Sequence, residues 1–180
     1  MPELSEDILL KASDGDLEAF DQIYQSTSRF VYNVALRMIR NQEDAEEITQ
    51  DVFLVVYRKL KEFRFESSFK TWVYRIAVNS ALNYVKKNSK TRHDVVYDEQ
   101  IHDVSDGEGI KIVELENKEQ VDWFLEKLNS EQRVCVILRS FEGLSYQQIA
   151  ETLKININTV RSRLKRAREQ MLMIKRKKDD

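Results

Sequence analysis

The chain has 180 residues, of which 42% are hydrophobic and 33% charged, a composition typical of an ordered protein with one domain or two small ones. Its only proline is Pro2 and it has four glycines, so residues that break helices are scarce. With Cys135 as the single cysteine an internal disulfide is excluded, and with two histidines the sequence predicts no metal site and no cofactor.

The formal net charge of -2 argues by itself against general affinity for nucleic acids. The charges are nevertheless segregated. Basic residues cluster at 86–92 and 161–178, whereas acidic residues crowd the N-terminus, the segment 43–51 and the middle of the chain. No apolar run approaches the roughly 18 residues of a membrane span, and the acidic N-terminus resembles no secretory signal. The sequence therefore predicts no membrane insertion and a cytoplasmic location.

The first half of the chain has helical periodicity. Apolar residues recur every three or four positions over 16–39 and again from about Glu43 to Leu60, which predicts two amphipathic helices. After an irregular segment, 63–68, a third helix is predicted to begin at Phe69. Its expected inward residues are Phe69, Trp72, Val73, Ile76, Ala77, Ser80 and Tyr84. Its expected outward residues are Lys70, Arg75, Asn79, Asn83, Lys86 and Lys87.

Periodicity is lost over about 89–109, where acidic residues lie between glycines. Such a segment is typical of a solvated connection between domains. The sequence therefore predicts an all-α protein with two small helical domains, residues 1–90 and 115–180. A flexible acidic linker, 91–114, is expected to join them.

The end of the chain carries the signals of a helix-turn-helix, in which the second of two helices enters the DNA major groove. Gly143 and Ser145 provide a stop and an N-cap for one short helix, and Asn156 is a candidate N-cap for the next. The helices predicted in this half cover about 115–128, 131–141 and 145–153, with the last starting near Ile157.

The last predicted helix combines an apolar stripe with a basic face. Ile157, Val160, Leu164, Ala167 and Met171 recur at helical spacing and are expected to pack inward. The opposite face offers cations for phosphates and groups that can hydrogen-bond base edges. The alternative to a DNA-recognition helix is an ordinary solvated basic helix, and the preceding helix and turn argue against it. The outward residues are Asn158, Thr159, Arg161, Ser162, Lys165, Arg166 and Arg168.

Three segments resemble, in the correct order, the extracytoplasmic-function (group IV) sigma factors of bacterial RNA polymerase, within the sigma-70 superfamily. Residues 144–150 and 159–168 are similar to the fourth conserved region of that family. Residues 69–79 resemble its second conserved region, where it contacts the -10 element. Residues 44–53 are similar to the segment that docks on the clamp helices of RNA polymerase. The resemblance covers nearly the whole chain.

The resemblance implies an alternative sigma factor, which binds core RNA polymerase and directs initiation at specific promoters without being a catalyst itself. In the family the fourth region reads a duplex -35 element, and the second region reads and opens the -10 element as single-stranded DNA. Promoter DNA and core polymerase are the implied partners, and an anti-sigma factor is an expected third one.

The resemblance also assigns residues to these tasks. Those implied for the -35 element are Asn158, Thr159, Arg161, Ser162, Arg163, Lys165 and Arg166. Those implied for the -10 element are Phe65, Ser67, Lys70, Arg75, Asn79, Asn83, Lys86 and Lys87. Those implied for polymerase binding are Asp44, Glu47, Gln50 and Asp51.

The residues themselves leave alternatives open. Arg163 could form a surface ion pair instead of contacting phosphate, and the acids of the second helix fit a solvated face equally well. Phe63, Phe69 and Trp72 fit a core better than a stacking platform, which leaves Phe65 as the aromatic residue best suited to a base.

Other functions also remain possible at this level. A stand-alone helix-turn-helix regulator is the main alternative, and a sigma mimic that sequesters an inhibitor is another. The chain has no glycine-rich phosphate loop, no metal-binding cluster and no nucleophile with an adjacent base, which argues against an enzyme.

Overall fold

A computed structural model of the chain describes residues 4–88 and 118–179, with side-chain surroundings given for 4–88 and 120–174. The described residues form eight α-helices and one short 3-10 helix and contain no strand. The chain divides into two compact units, Met1–Tyr84 and Val85–Asp180. The all-α fold with two helical domains is confirmed. The predicted linker 91–114 lies outside the described residues, and the domain limits stay a prediction.

The first unit is built on two long helices that pack against each other. The helices are α1 (Glu6–Ser13), α2 (Leu17–Ile39), α3 (Gln42–Lys59) and α4 (Phe69–Asn88), with a 3-10 turn at Leu60–Glu62. The last four residues of α4 lie beyond the limit of this unit at Tyr84. The long helix α2 lies against both α1 and α3, and the ring of Phe30 on α2 packs on that of Tyr74 on α4, with centroids 4.5 Å apart.

The sharp turn between α2 and α3 is made by two adjacent residues. Arg40 adopts a left-handed conformation with φ of 62° and ends α2, and Asn41 then caps α3 by accepting a hydrogen bond from the backbone N–H of Asp44 at 3.1 Å. A left-handed residue after a helix satisfies its last carbonyls, and an asparagine side chain satisfies the first N–H groups of the next. The connection between α2 and α3 therefore needs only these two residues.

Helix α1 was not predicted from the sequence. Ser5 caps it through Ile8, and Leu9 and Ala12 are buried. Lys11 forms an ion pair with Asp7 at 2.8 Å, and the hydrogen bond to this carboxylate raises the pKa of Lys11 above its ordinary value. The N-cap and the acidic first turn were readable signals of a short helix.

Helix α4 is buried over a wider arc than its predicted stripe. Phe69, Val73 and Ala77 are buried as expected, but Tyr74, which is 1% exposed, lies inside as well because its ring packs on Phe30. The further buried residues that the prediction missed are Thr71, Val78 and Ala81, and the predicted inward residues that stay partly exposed are Trp72, Ile76, Ser80 and Tyr84.

The second unit contains the helices α5 (Lys118–Lys127), α6 (Ser130–Ser140), α7 (Tyr146–Leu153) and α8 (Ile157–Asp179). Its core forms around α6, in which the run Val134, Cys135, Val136, Ile137 and Leu138 is almost completely buried. Helix α8 packs against both α6 and α7.

The connection between α7 and α8 is the three-residue turn 154–156. The Ser145 side chain accepts a hydrogen bond from the N–H of Gln148 at 3.2 Å, and the Gln148 side chain accepts one from the N–H of Ser145 at 2.8 Å. Lys154, with φ of 54°, ends α7, and Asn156 accepts a hydrogen bond from the N–H of Asn158 at 2.8 Å. The predicted caps at Ser145 and Asn156 are confirmed, and with them the helix-turn-helix.

Replacing Ser145 tests the cap of α7. Ser145→Ala removes the acceptor for the Gln148 N–H, so we expect the free energy of unfolding to fall by about 1 kcal/mol. The measurement is the urea midpoint at an unchanged slope, followed by circular dichroism. Ser145→Thr keeps a hydroxyl at the same place and should lose clearly less than Ser145→Ala. Equal losses in the two variants would contradict the capping role.

Candidate nucleic-acid interface

The inner side of α8 is apolar, as the sequence predicts. Val160, Leu164, Ala167 and Met171 are buried and Ile157 is partly exposed. Because an α-helix has 3.6 residues per turn, burial of this stripe leaves the polar residues on the opposite side of α8. On that side Asn158 and Lys165 are exposed, and those partly exposed are Thr159, Arg161, Ser162 and Arg166.

The first turn of α8 orients its arginine. Nη1 of Arg161 donates a hydrogen bond to the side-chain oxygen of Asn158 at 3.0 Å, and the hydroxyl of Ser162 donates to the backbone carbonyl of Asn158 at 2.9 Å. A guanidinium has several donors in a fixed planar arrangement, which suits bidentate contacts to base edges. Asn158 therefore holds Arg161 in one orientation at the end of the helix that a helix-turn-helix directs into the major groove.

Arg163 faces the other helices of its own unit. Its Nη2 lies 2.6 Å from Oε2 of Glu131 on α6, and its side chain is only 15% exposed against 55% for Glu131. The sequence left two roles open for Arg163, a phosphate contact and an ion pair. In the structure Arg163 forms an ion pair. Farther along α8, the Gln170 side chain donates a hydrogen bond to the carbonyl of Lys127 at 2.6 Å, a second tie that the sequence analysis missed.

The loop before α7 is also held by a side chain that the sequence analysis missed. Arg139 on α6 donates a hydrogen bond to the carbonyl of Leu144 at 3.0 Å and lies over the ring of Tyr146, 5.2 Å from its centroid. Both contacts reach the start of the helix-turn-helix. Arg139 therefore orients α7 relative to the core helix α6.

Helix α4 displays a stripe of amides and cations. Asn79, Asn83, Lys86 and Lys87 are exposed and follow each other at helical spacing, with the partly exposed Arg75 one turn earlier. Lys70 is also partly exposed, and its ammonium group lies 5.6 Å from the ring centroid of Tyr74. We call Arg75, Asn79, Asn83, Lys86 and Lys87 the amide-cation stripe.

The loop 63–68 leads into α4 and carries an aromatic cluster. The ring of Phe63 lies 4.8 Å from Phe65, 5.5 Å from Phe69 and 5.3 Å from Trp72. Phe69 is buried, Phe63 and Trp72 are partly exposed, and Phe65 is 43% exposed. Phe65 is therefore the most exposed of the four rings, and its contact with a base stays a prediction.

The same loop ends at a cap for α4. The Ser68 hydroxyl accepts a hydrogen bond from the N–H of Thr71 at 3.1 Å, while Ser67 is partly exposed. A serine before the first helical residue satisfies one of the unpaired N–H groups at the helix start. The cap therefore fixes where the loop stops and the amide-cation stripe begins.

Helix α3 presents an acidic face opposite its buried stripe. Glu47, Gln50 and Asp51 are exposed and Asp44 is partly exposed, and the exposed apolar side chain of Leu54 follows one turn after Gln50. Charged and polar side chains around an apolar residue are typical of the rim and core of a protein interface.

None of the helices in the described part of the chain is long and apolar enough to cross a membrane. Among the same residues, no group of three or more His, Cys, Asp or Glu side chains is arranged to hold a metal ion.

A helix-turn-helix with a polar, basic face and a second helical unit with an amide-cation stripe define a helical DNA-binding protein. Comparison with known families is more specific. Residues 23–91 match sigma-70 region 2, and residues 118–171 match sigma-70 region 4.

Curated relatives resemble the chain along nearly its whole length. An RNA polymerase sigma-H factor of Pseudomonas aeruginosa is 31% identical over 176 residues, covering 93% of this chain and 91% of that protein. The ECF RNA polymerase sigma-E factor of Escherichia coli K12 is 32% identical over 178 residues, covering 93% and 92%.

Two solved structures have a similar fold. The sigma factor RpoE of Bartonella quintana, crystallised with the anti-sigma factor NepR, gives a TM-score of 0.66 at 23% identity, covering 87% of this chain and 96% of that one. CnrH, solved with the cytosolic domain of CnrY, gives a TM-score of 0.69 at 21% identity, covering 93% and 94%.

The chain belongs to the extracytoplasmic-function sigma factors of the sigma-70 superfamily. It is an alternative sigma factor, a non-catalytic subunit of RNA polymerase that directs transcription initiation at specific promoters. This function, implied by the resemblance of its motifs, is confirmed.

A double-mutant cycle tests the ion pair between Glu131 and Arg163. Because Glu131 is largely exposed, we expect a coupling of about 0.2–1 kcal/mol at low salt and a smaller value near 1 M salt. Urea unfolding of Glu131→Ala, Arg163→Ala and the double variant measures it. Strictly additive losses at low salt would show that the contact contributes nothing to the packing of α8 on α6.

Proposed function

We propose that the second unit reads the duplex -35 element with the outward face of α8. The observation that carries this proposal is the burial of Val160, Leu164 and Ala167 beside the three-residue turn, because it turns Arg161 and Lys165 away from the core. Side chains that combine base-edge donors with phosphate-binding cations can both position and specify a complex.

We propose individual roles from the positions of these residues on α8 and from the contacts of Asn158. Arg161, Ser162 and Lys165 are assigned to base edges, and Arg166, with Asn158 and Thr159, to the flanking backbone and to the orientation of Arg161. Arg163 serves the same interface indirectly, since its ion pair with Glu131 holds α8 in place.

The first unit, in this proposal, holds the opened -10 strand along α4. The amide-cation stripe and Lys70 offer ammonium and guanidinium groups to phosphates and amide groups to base edges, and Phe65 and Ser67 lie at the loop end of the same helix. Single strands are bound by this combination of a basic surface with aromatic side chains.

Core polymerase, in turn, would bind the acidic face of α3. Asp44, Glu47, Gln50 and Asp51 precede the exposed Leu54 on the same helix, which suits a partner helix that carries basic residues next to an apolar side chain. Charge complementarity of this kind steers association and fixes register more than it adds affinity.

An anti-sigma factor is the proposed regulatory partner. The sigma factor RpoE of Bartonella quintana was solved in complex with one, and its fold is similar to that of this chain. A partner that covered the α3 face would block polymerase binding.

We also propose that the chain acts in the cytoplasm, where its polymerase is located, and that its domains span 1–90 and 115–180.

The test of the whole proposal is transcription in vitro over a pool of genomic fragments, using sigma-free core polymerase with and without the chain. We expect discrete new starts that share two upstream elements at a fixed spacing. DNA binding by the chain without new transcripts would overturn the proposal in favour of a stand-alone regulator.

Arg161→Ala tests base readout at the -35 element. If Arg161 makes a bidentate contact with a base, the variant should lose about 1–3 kcal/mol of promoter binding by the holoenzyme. Competition between a matched promoter and one with a scrambled -35 element measures the loss. An equal loss on both templates would contradict base readout, and a normal affinity for core polymerase serves as the control for folding.

A further inference from the structure

The backbone of Asn158 is anchored on both sides. Its N–H donates a hydrogen bond to the side-chain oxygen of Asn156 at 2.8 Å, and its carbonyl accepts one from the hydroxyl of Ser162 at 2.9 Å. The first bond satisfies one of the N–H groups that a helix leaves unpaired at its start. The side chain of Asn158 therefore leaves α8 from a defined position, at the end of the helix that is proposed to enter the major groove.

The side chain of Asn158 restrains the guanidinium of Arg161. Its oxygen accepts a hydrogen bond from Nη1 of Arg161 at 3.0 Å, while Nε of the same guanidinium is buried. A base can then reach Arg161 only through the Nη end of the guanidinium, because a contact that used Nε would need that atom exposed. Asn158 determines the angle at which this end is presented.

An arginine that is held in place reads a base differently from one that moves. The guanidinium has five donors in a rigid plane, but its long side chain has many rotamers, and ordering them on binding costs free energy. A mobile arginine also follows acceptors on neighbouring bases, which weakens its preference for one sequence. Restricting the side chain to one orientation favours the matched base and penalises the others.

We propose that Asn158 is a specificity-determining residue that acts through Arg161, by holding the guanidinium in the orientation that binds one base of the -35 element. This role rests on the proposed function of the second unit and adds what sets its selectivity. Asn158 is a positioning residue here, because its effect passes through another side chain. The hydrogen bond is exposed to solvent, so we expect it to contribute about fivefold to the discrimination between matched and mismatched elements.

Two substitutions of Asn158 separate the hydrogen bond from the rest of the side chain. Asn158→Ala removes the acceptor and should reduce the discrimination by about fivefold. Asn158→Asp keeps an acceptor and should keep the discrimination, while its negative charge lowers the affinity for every template by repelling phosphates. In the free chain, the NMR order parameter of the Arg161 side chain should fall in Asn158→Ala and stay high in Asn158→Asp.

Discrimination is measured with holoenzyme, by competition between the matched promoter and templates in which one base pair of the -35 element is replaced at a time. The base that Arg161 reads is the one whose replacement weakens binding by wild type but not by Arg161→Ala. At that base we expect Asn158→Ala to have no further effect in the Arg161→Ala background, as a double-mutant cycle measures.

Additive losses in the cycle would overturn the inference, since Asn158 would then contact the DNA by itself. Unchanged discrimination in Asn158→Ala would overturn it as well, and so would an equal loss in Asn158→Asp. If Arg161→Ala discriminates among the templates as well as wild type does, the proposed base readout by Arg161 is wrong and the role of Asn158 falls with it. The Arg161→Ala result alone thus distinguishes that failure from a failure of Asn158.

Discussion

Every DNA contact proposed for the second unit depends on the packing of α8 against α6 and α7. Full burial of a Val, Leu or Met side chain stabilises a fold by about 1.5–3 kcal/mol, whereas an ion pair with an exposed partner contributes about 0–1 kcal/mol. The apolar stripe at Val160, Leu164 and Met171 therefore sets the rotation of α8, and the pair between Arg163 and Glu131 refines it. Once that rotation is set, the side of α8 on which Arg161 lies is fixed.

Burial also determines which side chains of α4 remain exposed. Its buried arc includes Tyr74, held on Phe30, as well as the expected Val73 and Ala77. The exposed part of α4 therefore begins at Arg75, continues with the two amides Asn79 and Asn83, and ends with Lys86 and Lys87. A basic, amide-bearing surface along one helix suits a single strand, whereas the short α7 and the exposed side of α8 suit a duplex groove. The two units are accordingly proposed to bind different forms of DNA.

The sequence predicted those features that local chemistry determines, and the structure added those that require distant residues to meet. Ser145 and Asn156 were recognisable as caps because a cap acts within three residues, and the stripe of α8 was recognisable because 3.6-residue periodicity is local. The partner of Arg163, the ring beneath Tyr74 and the contact from Gln170 to Lys127 join residues that are far apart in sequence. The left-handed backbone of Phe65 could not be predicted, because glycine, the residue that usually signals positive φ, is absent there. Helix α1 was missed although its N-cap and its acidic first turn are local signals.

The distribution of charge bears on how the two proposed DNA-binding surfaces act together. A net charge of -2 gives the chain little long-range attraction for DNA, since non-specific affinity comes from neutralising phosphates. The densest groups of cations lie instead at 86–92 and 161–178, whereas the segment 43–51 is acidic. In the proposed function, each of the two basic surfaces alone makes few phosphate contacts. Binding two sites through one assembly multiplies affinity only when the spacing between them is fixed, and core polymerase is the component that can fix it. If the two units bind as proposed, weak attraction by the free chain favours selectivity, because strong DNA binding then depends on both the polymerase and two correctly spaced promoter elements.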